Sequence, residues 1–353
     1  MKALILSGGT GSRLRPLTYT NAKQLLPLAN KPVLYHIIDK IVESGVRDIG
    51  IITGDTQEEV KSSVGNGERW KAKISYIYQP LPLGLAHAVK MASAFIDDDD
   101  FLMLLGDNAF SMGLDKLIEN FYANKSNSAI LLHKVENPSQ YGVAVVENNC
   151  IKKLVEKPKE FISDLIITGA YLFDNSIFKA IDNTLPSPRG ELEITDAIQK
   201  QLEMGGKVTF EIIQGWWKDT GKLQDILEAN RFMLEEIDEK YQINKKDDSV
   251  YRGKIQIGKN AVIKNSVIDG PVAIADDSAI INSYVGPYTA VGKGVRINNC
   301  EVDNCIILEN TQLDSISKRI SGSLIGKNVV IRAADKKPVS STFLVGDNSE
   351  IYM

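Results

Sequence analysis

The apolar positions of this chain change their period once. Up to about residue 240, short β-rich runs alternate with amphipathic helical stretches; after it the helical period disappears. Runs at 3–6, 49–53, 74–79 and 101–105 predict four buried parallel strands, with helices near 33–44, 56–65 and 84–95 between them. Further sheet-forming runs at 128–134, 143–147, 151–156, 166–173 and 207–213 predict a more mixed half, closed by a long helix at about 222–240. Residues 1–243 therefore read as one α/β domain with a Rossmann-like, mixed but mostly parallel sheet.

A polar, turn-rich stretch at 244–250 (Asn244-Lys-Lys-Asp-Asp-Ser249) predicts a linker. From 251 to 353 apolar residues recur at five- to six-residue spacing, as Ile257, Val262-Ile263, Val267-Ile268, Val272, Ile280-Ile281, Val285, Val291, Ile297, Val302 and Ile306-Ile307, with Asn, Asp and Gly filling the gaps. One apolar position in six, separated by turn formers, predicts a left-handed parallel β-helix in which each triangular coil takes three hexads. An antiparallel sandwich would need longer strands with a two-residue alternation.

Composition narrows the partners. A chain of 353 residues can bury two cores, and a net charge of −4 with 24% charged residues offers no basic stripe for nucleic acid. No apolar run approaches about eighteen residues and the chain starts directly on a core strand, so the expectation is a cytoplasmic protein with no membrane partner. Cys150, Cys300 and Cys305 match no zinc or disulfide spacing and read as small buried residues.

The first strand runs straight into Ser7-Gly8-Gly9-Thr10-Gly11-Ser12-Arg13-Leu14. Glycines let successive backbone N–H groups converge on anionic oxygens, so the run reads as a phosphate cradle, with an ordinary tight turn as the alternative. Leu14 stands where a dinucleotide loop needs its third glycine, and no Gly-Lys-Ser/Thr closes a Walker loop. Lys23, followed by Gln24 and soon by Pro27, lies on a connection that the proline should keep extended near the strand's carboxyl end, where open α/β sheets bind ligands; a solvated surface lysine is the plainer reading. Asp107 ends the fourth strand as a metal ligand, a ribose ligand or a turn cap, and Asp219 precedes the closing helix as a second carboxylate. Glu156-Lys157, near Tyr141-Gly142, supplies acceptors and a cation suited to a phosphorylated polyol. Arg189 to Asp196 reads first as a helix start, with Thr195 or Glu191 as cap. All three histidines, His36, His87 and His133, precede the β-helix, so those coils lack the base that acyl transfer would use.

These residues together resemble the sugar-phosphate nucleotidyltransferases, most closely the long form of the glucose-1-phosphate thymidylyltransferases. Gly8 to Leu14 resembles the family's GGxGxRL loop. Ala22-Lys23-Gln24-Leu25, Gln79-Pro80 with Gly84-Leu85-Ala86, Leu105-Gly106-Asp107-Asn108, Tyr141-Gly142-Val143, Glu156-Lys157-Pro158, Arg189 to Asp196 and Asp219-Thr220-Gly221 follow in order. The resemblance implies a magnesium-dependent reaction in which the phosphate of glucose 1-phosphate attacks the α-phosphorus of dTTP or UTP and releases pyrophosphate.

The same resemblance implies the roles of single residues. Arg13 and Lys23 hold the triphosphate, and Leu6, Gly8, Gly9, Thr10, Gly11, Gln24, Gln79 and Gly84 complete the nucleotide site, the last two as its base-reading pair. Asp107 and Asp219 hold Mg2+, while Tyr141, Gly142, Glu156, Lys157, Ile167 and Trp217 form the sugar-phosphate pocket. An anionic nucleophile needs no general base, which agrees with the scarcity of histidine. A homo-oligomer assembled through the β-helix is expected. A non-catalytic regulatory relative is disfavoured because Arg13, Lys23, Asp107, Lys157 and Asp219 are all retained. A bifunctional uridylyltransferase and acetyltransferase acting on amino sugars is disfavoured by the histidine-free coils.

Overall fold

The computed structural model describes residues 1–9, 11–238 and 248–333. The chain packs as two compact units, the first made of Met1–Thr10, Asn21–Leu25 and Val33–Trp217. The strands of its main sheet in chain order are β1 (Lys2–Ser7), β2 (Asp48–Thr53), β3 (Lys73–Tyr78), β4 (Phe101–Leu105), β5 (Ser128–Lys134), β6 (Gly142–Glu147), β7 (Cys150–Glu156), β8 (Leu165–Phe173) and β9 (Val208–Ile212). They form one nine-stranded sheet with the path β7-β6-β8-β4-β1-β2-β3, to which β5 adds beside β8 and β9 beside β5.

The four strands predicted to be parallel are so: Ile5 lies opposite Ile51 on one side and Leu104 on the other. The mixed half is also as predicted, since β8 runs antiparallel to β4, β5 and β6 while β9 runs parallel to β5. Both sheet faces are covered, which is why the strands read as continuous apolar runs. Ile5, Ile51 and Leu104 face the helix Val33–Glu43 through Leu34, Ile37, Ile38 and Ile41. Leu4, Ile52 and Met103 face the other way, toward Ala88, Val89, Ile177 and Ile198. Each such side chain buried contributes about 1.5–3 kcal/mol. The helix expected at 84–95 is two, Leu85–Met91 and Ser93–Ile96, parted at Ala92. Ser7, Thr53, Tyr78 and Leu105 end their parallel strands at one edge of the sheet.

The second unit contains Gly11–Thr20, Leu26–Pro32 and the chain from Lys218 onward. Packing thus divides the described residues elsewhere than the polar stretch at 244–250, of which 244–247 lie outside them. The closing helix runs Leu223–Glu235, and the repeats, described to residue 333, form three five-stranded parallel sheets of the left-handed β-helix type. The coil does not advance by three full hexads throughout. Ile263 stacks under Ile280 and that under Ile297, 17 residues apart, and steps of 16 to Leu313 and 18 to Ile331 follow. The corners explain the abundance of Asn and Asp. Asn265, Asn282, Asn299, Asn260, Asp277, Asn310 and Asn328 all take positive φ, a region Asn and Asp tolerate better than other side chains. The stacked corner side chains bond along the column, as Asn265 Nδ2 does to Asn282 Oδ1 at 2.8 Å.

A two-residue hairpin turn anchors the early segment to these coils. Ala29 and Asn30, both at positive φ, join Pro27–Leu28 to Lys31–Pro32, and Asn30 Nδ2 donates to the carbonyls of Ala273 and Val291, each at 3.0 Å. Asn230, fully buried in the closing helix, accepts the Ala29 N–H at 2.8 Å and donates to Tyr288 O at 3.1 Å. Asn230→Ala removes the partners of two half-buried backbone groups and is expected to destabilise the unit by about 1–3 kcal/mol. Urea unfolding followed by circular dichroism checks this, and a midpoint equal to wild type would refute the anchoring role.

Candidate active site

β1 delivers the chain to the glycine run at the carboxyl edge of the sheet. Leu6, 7% exposed, accepts the Gly106 N–H at 2.9 Å, which brings the loop after β4 beside the end of β1. A Cβ on Gly8 would stand 3.1 Å from Gln79 Oε1, whereas Gly9 has open space around it. Of the three glycines only Gly11, in the second unit, takes a left-handed φ, +64°. Thr10 lies outside the described residues.

Lys23 is not a solvated lysine; it is 7% exposed. The segment Lys23–Leu25 is a turn of 3-10 helix and not the extended connection expected from Pro27, because the Leu25 N–H closes onto Ala22 O at 2.9 Å. Gln24 Nε2 donates to Ser7 O at 2.9 Å and so ties this turn to the end of β1. Lys23 Nζ is thereby brought 2.5 Å from Asp107 Oδ2, while Asp107 Oδ1 accepts from Asn108 Nδ2 at 2.9 Å. Burial alone would raise the Asp107 carboxyl. The positive charge of Lys23 and the hydrogen bonds from Lys23 and Asn108 outweigh it and hold the group below the ordinary carboxylate range.

Two buried polar atoms in this cluster, Ser7 Oγ and Gln24 Oε1, have no hydrogen-bond partner, as at a site that a polar ligand completes. No group of three or more His, Cys, Asp or Glu able to hold a metal occurs among the described residues. Asp107 nevertheless fits Mg2+, a hard ion commonly held by one or two carboxylates with substrate phosphates filling the remaining positions.

The second half of the site is assembled by β6, β7 and β8. Gly142 pairs with Glu156 across β6 and β7, and a Cβ on Gly142 would come within 2.5 Å of Thr195 Oγ1, 3.2 Å of Glu156 Oε2 and 3.2 Å of Ile167 Cδ1. Those three side chains therefore converge on one point. Thr195 Oγ1 donates to Glu156 Oε2 at 2.7 Å; Arg189 Nη2 reaches Glu193 Oε1 at 2.7 Å and Glu156 Oε1 at 3.4 Å. Lys157, at φ +43°, donates its N–H to Tyr141 O at 3.0 Å and holds Nζ 3.6 Å from Glu156 Oε1. Tyr141 meets Trp217 edge-on at 5.5 Å, and Trp217 Nε1 donates to Asn108 Oδ1 at 2.8 Å, so Asn108 touches both the Asp107 carboxylate and the aromatic wall. Burial raises the Asp196 carboxyl, helped by the charges of Glu156 and Glu193.

Arg13 and Asp219 pack in the second unit, where both lie against Gly221: a Cβ there would stand 2.9 Å from Arg13 Nη2 and 3.2 Å from Asp219 Oδ1.

The capping expectation for Thr195 and Glu191 is corrected. The helix Ile194–Glu203 begins at Glu193 with no side-chain cap, and the Thr195 hydroxyl is committed to Glu156. Thr195, Arg189 and Glu193 were missed as candidate site residues; the density of acceptors from Arg189 to Asp196 was their signal, and capping preference outweighed it, while Asn108 was missed beside Asp107. Cys150 is likewise exposed, while Cys300 and Cys305 are buried as expected.

Comparison with known proteins agrees with this architecture. The nucleotidyl transferase family profile matches residues 2–236. The chain is 42% identical over 353 residues to a glucose-1-phosphate thymidylyltransferase of Streptomyces antibioticus, covering 99% of each. It is 43% identical over 358 residues to the low-salt glycan biosynthesis nucleotidyltransferase Agl11 of Haloferax volcanii, covering 100% of each. A solved Bacillus anthracis structure, described as a candidate glucose-1-phosphate thymidylyltransferase in complex with sucrose, matches 68% of this chain and 98% of its own with a TM-score of 0.64 at 37% identity. With the glycine loop, the Lys23–Asp107 pair and the Glu156 pocket on one sheet edge, the chain belongs to the nucleotidyl transferase family.

Proposed function

We propose that this nucleotidyltransferase joins a pyrimidine nucleoside triphosphate to glucose 1-phosphate, with dTTP preferred and UTP the competing donor, giving dTDP-glucose and pyrophosphate. The observation that carries the reading is the pair formed by the buried Lys23 and the half-buried Asp107 at the carboxyl ends of β1 and β4. It supplies a fixed cation for a phosphate and an ionised oxygen donor for a metal. The name of the Streptomyces antibioticus relative favours thymidine, at 42% identity.

The nucleophile is a phosphate oxygen that is already charged, so the protein's task is to bring two anions together and offset the charge between them. Lys23 is suited to the triphosphate. Glu156, oriented by Thr195 and Arg189, is suited to accept from sugar hydroxyls, and Lys157 to neutralise the attacking phosphate. Bound Mg2+ would supply further charge neutralisation at the phosphates, held by Asp107. The roles of Arg13 as a second phosphate cation and of Asp219 as a second metal carboxylate are proposed on the sequence motifs alone, as is assembly into a homo-oligomer.

Competition between dTTP and UTP at equal concentration, with glucose 1-phosphate, magnesium and purified protein, tests the reading by chromatography of the products. dTDP-glucose in excess supports it, UDP-glucose in excess overturns the dTTP preference, and no sugar nucleotide from either donor overturns the function.

A further inference from the structure

Gln79 follows β3, is 9% exposed, and has its backbone fixed by an N–H to Thr53 O bond of 2.8 Å. Its side-chain Nε2 lies 3.5 Å from the carbonyl oxygen of Gly84 and 2.9 Å from Nδ1 of His87. A carbonyl can only accept, so the amide nitrogen must be the atom on that side. His87 Nδ1 must then offer its lone pair, with the ring proton on Nε2. Burial, aided by the charge of Lys90, lowers the His87 pKa, toward the neutral ring that this arrangement requires. The amide oxygen consequently points the other way, lying 3.1 Å from the Cβ position of Gly8 on the loop that ends β1.

That orientation has a consequence for a base. Thymine and uracil present an N3–H that an oxygen accepts; cytosine presents a bare N3, whose lone pair would face that oxygen, beside an amino group. An unrestrained amide could rotate by half a turn and serve either. We propose that His87 is a positioning residue that locks the Gln79 amide with its oxygen toward the ligand, so that the site takes thymine or uracil and rejects cytosine. This rests on the reading of Gln79 as the base contact.

Steady-state kinetics with dTTP, UTP, dCTP and CTP test it on wild type, His87→Leu, which removes the lone pair, and His87→Asn, which restores an acceptor at the Nδ1 position. His87→Leu is expected to lose about tenfold or more of the kcat/KM preference for UTP over CTP and for dTTP over dCTP, with KM for glucose 1-phosphate unchanged. His87→Asn is expected to keep the preference. An unchanged ratio in His87→Leu, or equal loss in both variants, overturns the role of His87 while leaving the nucleotidyl transfer reading intact. Absence of turnover by wild type with every pyrimidine triphosphate overturns both.

Discussion

Lys23→Ala is expected to lower kcat/KM for pyrophosphate release by about 10²–10³, the loss that follows removal of one preorganised donor, or about 3–4 kcal/mol of barrier. The size of the effect follows from where the side chain is held. Lys23 is almost completely buried, and its turn is fixed to β1 through the Gln24–Ser7 bond, so no reorganisation is needed to present its charge. Lys23→Arg is not expected to rescue, because a planar fork cannot take the place of a compact ammonium 2.5 Å from Asp107. Lys23→Ala also relieves Asp107 of the cation that holds its carboxyl down, so Asp107 should protonate at higher pH in that variant. Near-normal turnover in a folded Lys23→Ala protein would remove this residue from the chemistry.

Glu156→Ala should act on the other substrate. Each hydrogen bond between a carboxylate and a sugar hydroxyl is worth about 1.5–3 kcal/mol, so KM for glucose 1-phosphate is expected to rise about 10–150-fold while KM for the triphosphate stays constant. The change also frees the Thr195 hydroxyl and removes one of the carboxylates around Arg189, which is why melting temperature must be measured alongside. A parallel rise in both KM values would show that Glu156 supports the fold and does not contact the sugar.

Much of the fold was legible because burial dictates residue type. Strands covered on both faces must be apolar throughout, and β1 to β4 are; coils stacked on one apolar column must repeat, and Ile263, Ile280 and Ile297 do. What escaped depends on single hydrogen bonds between segments distant in sequence. Asn30 and Asn230 draw the hairpin and the closing helix onto the coils, a contact that no period announces, so the division of the described residues into units differs from the polar stretch at 244–250.

The site shows the same division. The glycine loop, Lys23, Asp107 and Glu156 stood out by motif and position. Thr195 did not, because a threonine at a helix start is ordinarily a cap, and only the 2.7 Å bond to a carboxylate 39 residues away reveals its use. The burial of Lys23 was hidden for a related reason: Pro27 predicted extended chain, but the Ala22–Leu25 hydrogen bond closes a turn that folds the lysine inward.

The central claim is that an oxygen of the sugar phosphate attacks the α-phosphorus of the triphosphate. Glucose 1-phosphate carrying 18O at its three non-bridging phosphate oxygens, incubated with dTTP, magnesium and the wild-type protein, tests it by mass spectrometry of both products. All three labels are predicted to remain in the dTDP-glucose, with unlabelled pyrophosphate released. Label in free phosphate or pyrophosphate would mean that the sugar phosphate had parted from glucose instead of joining the nucleotide, and would contradict the account.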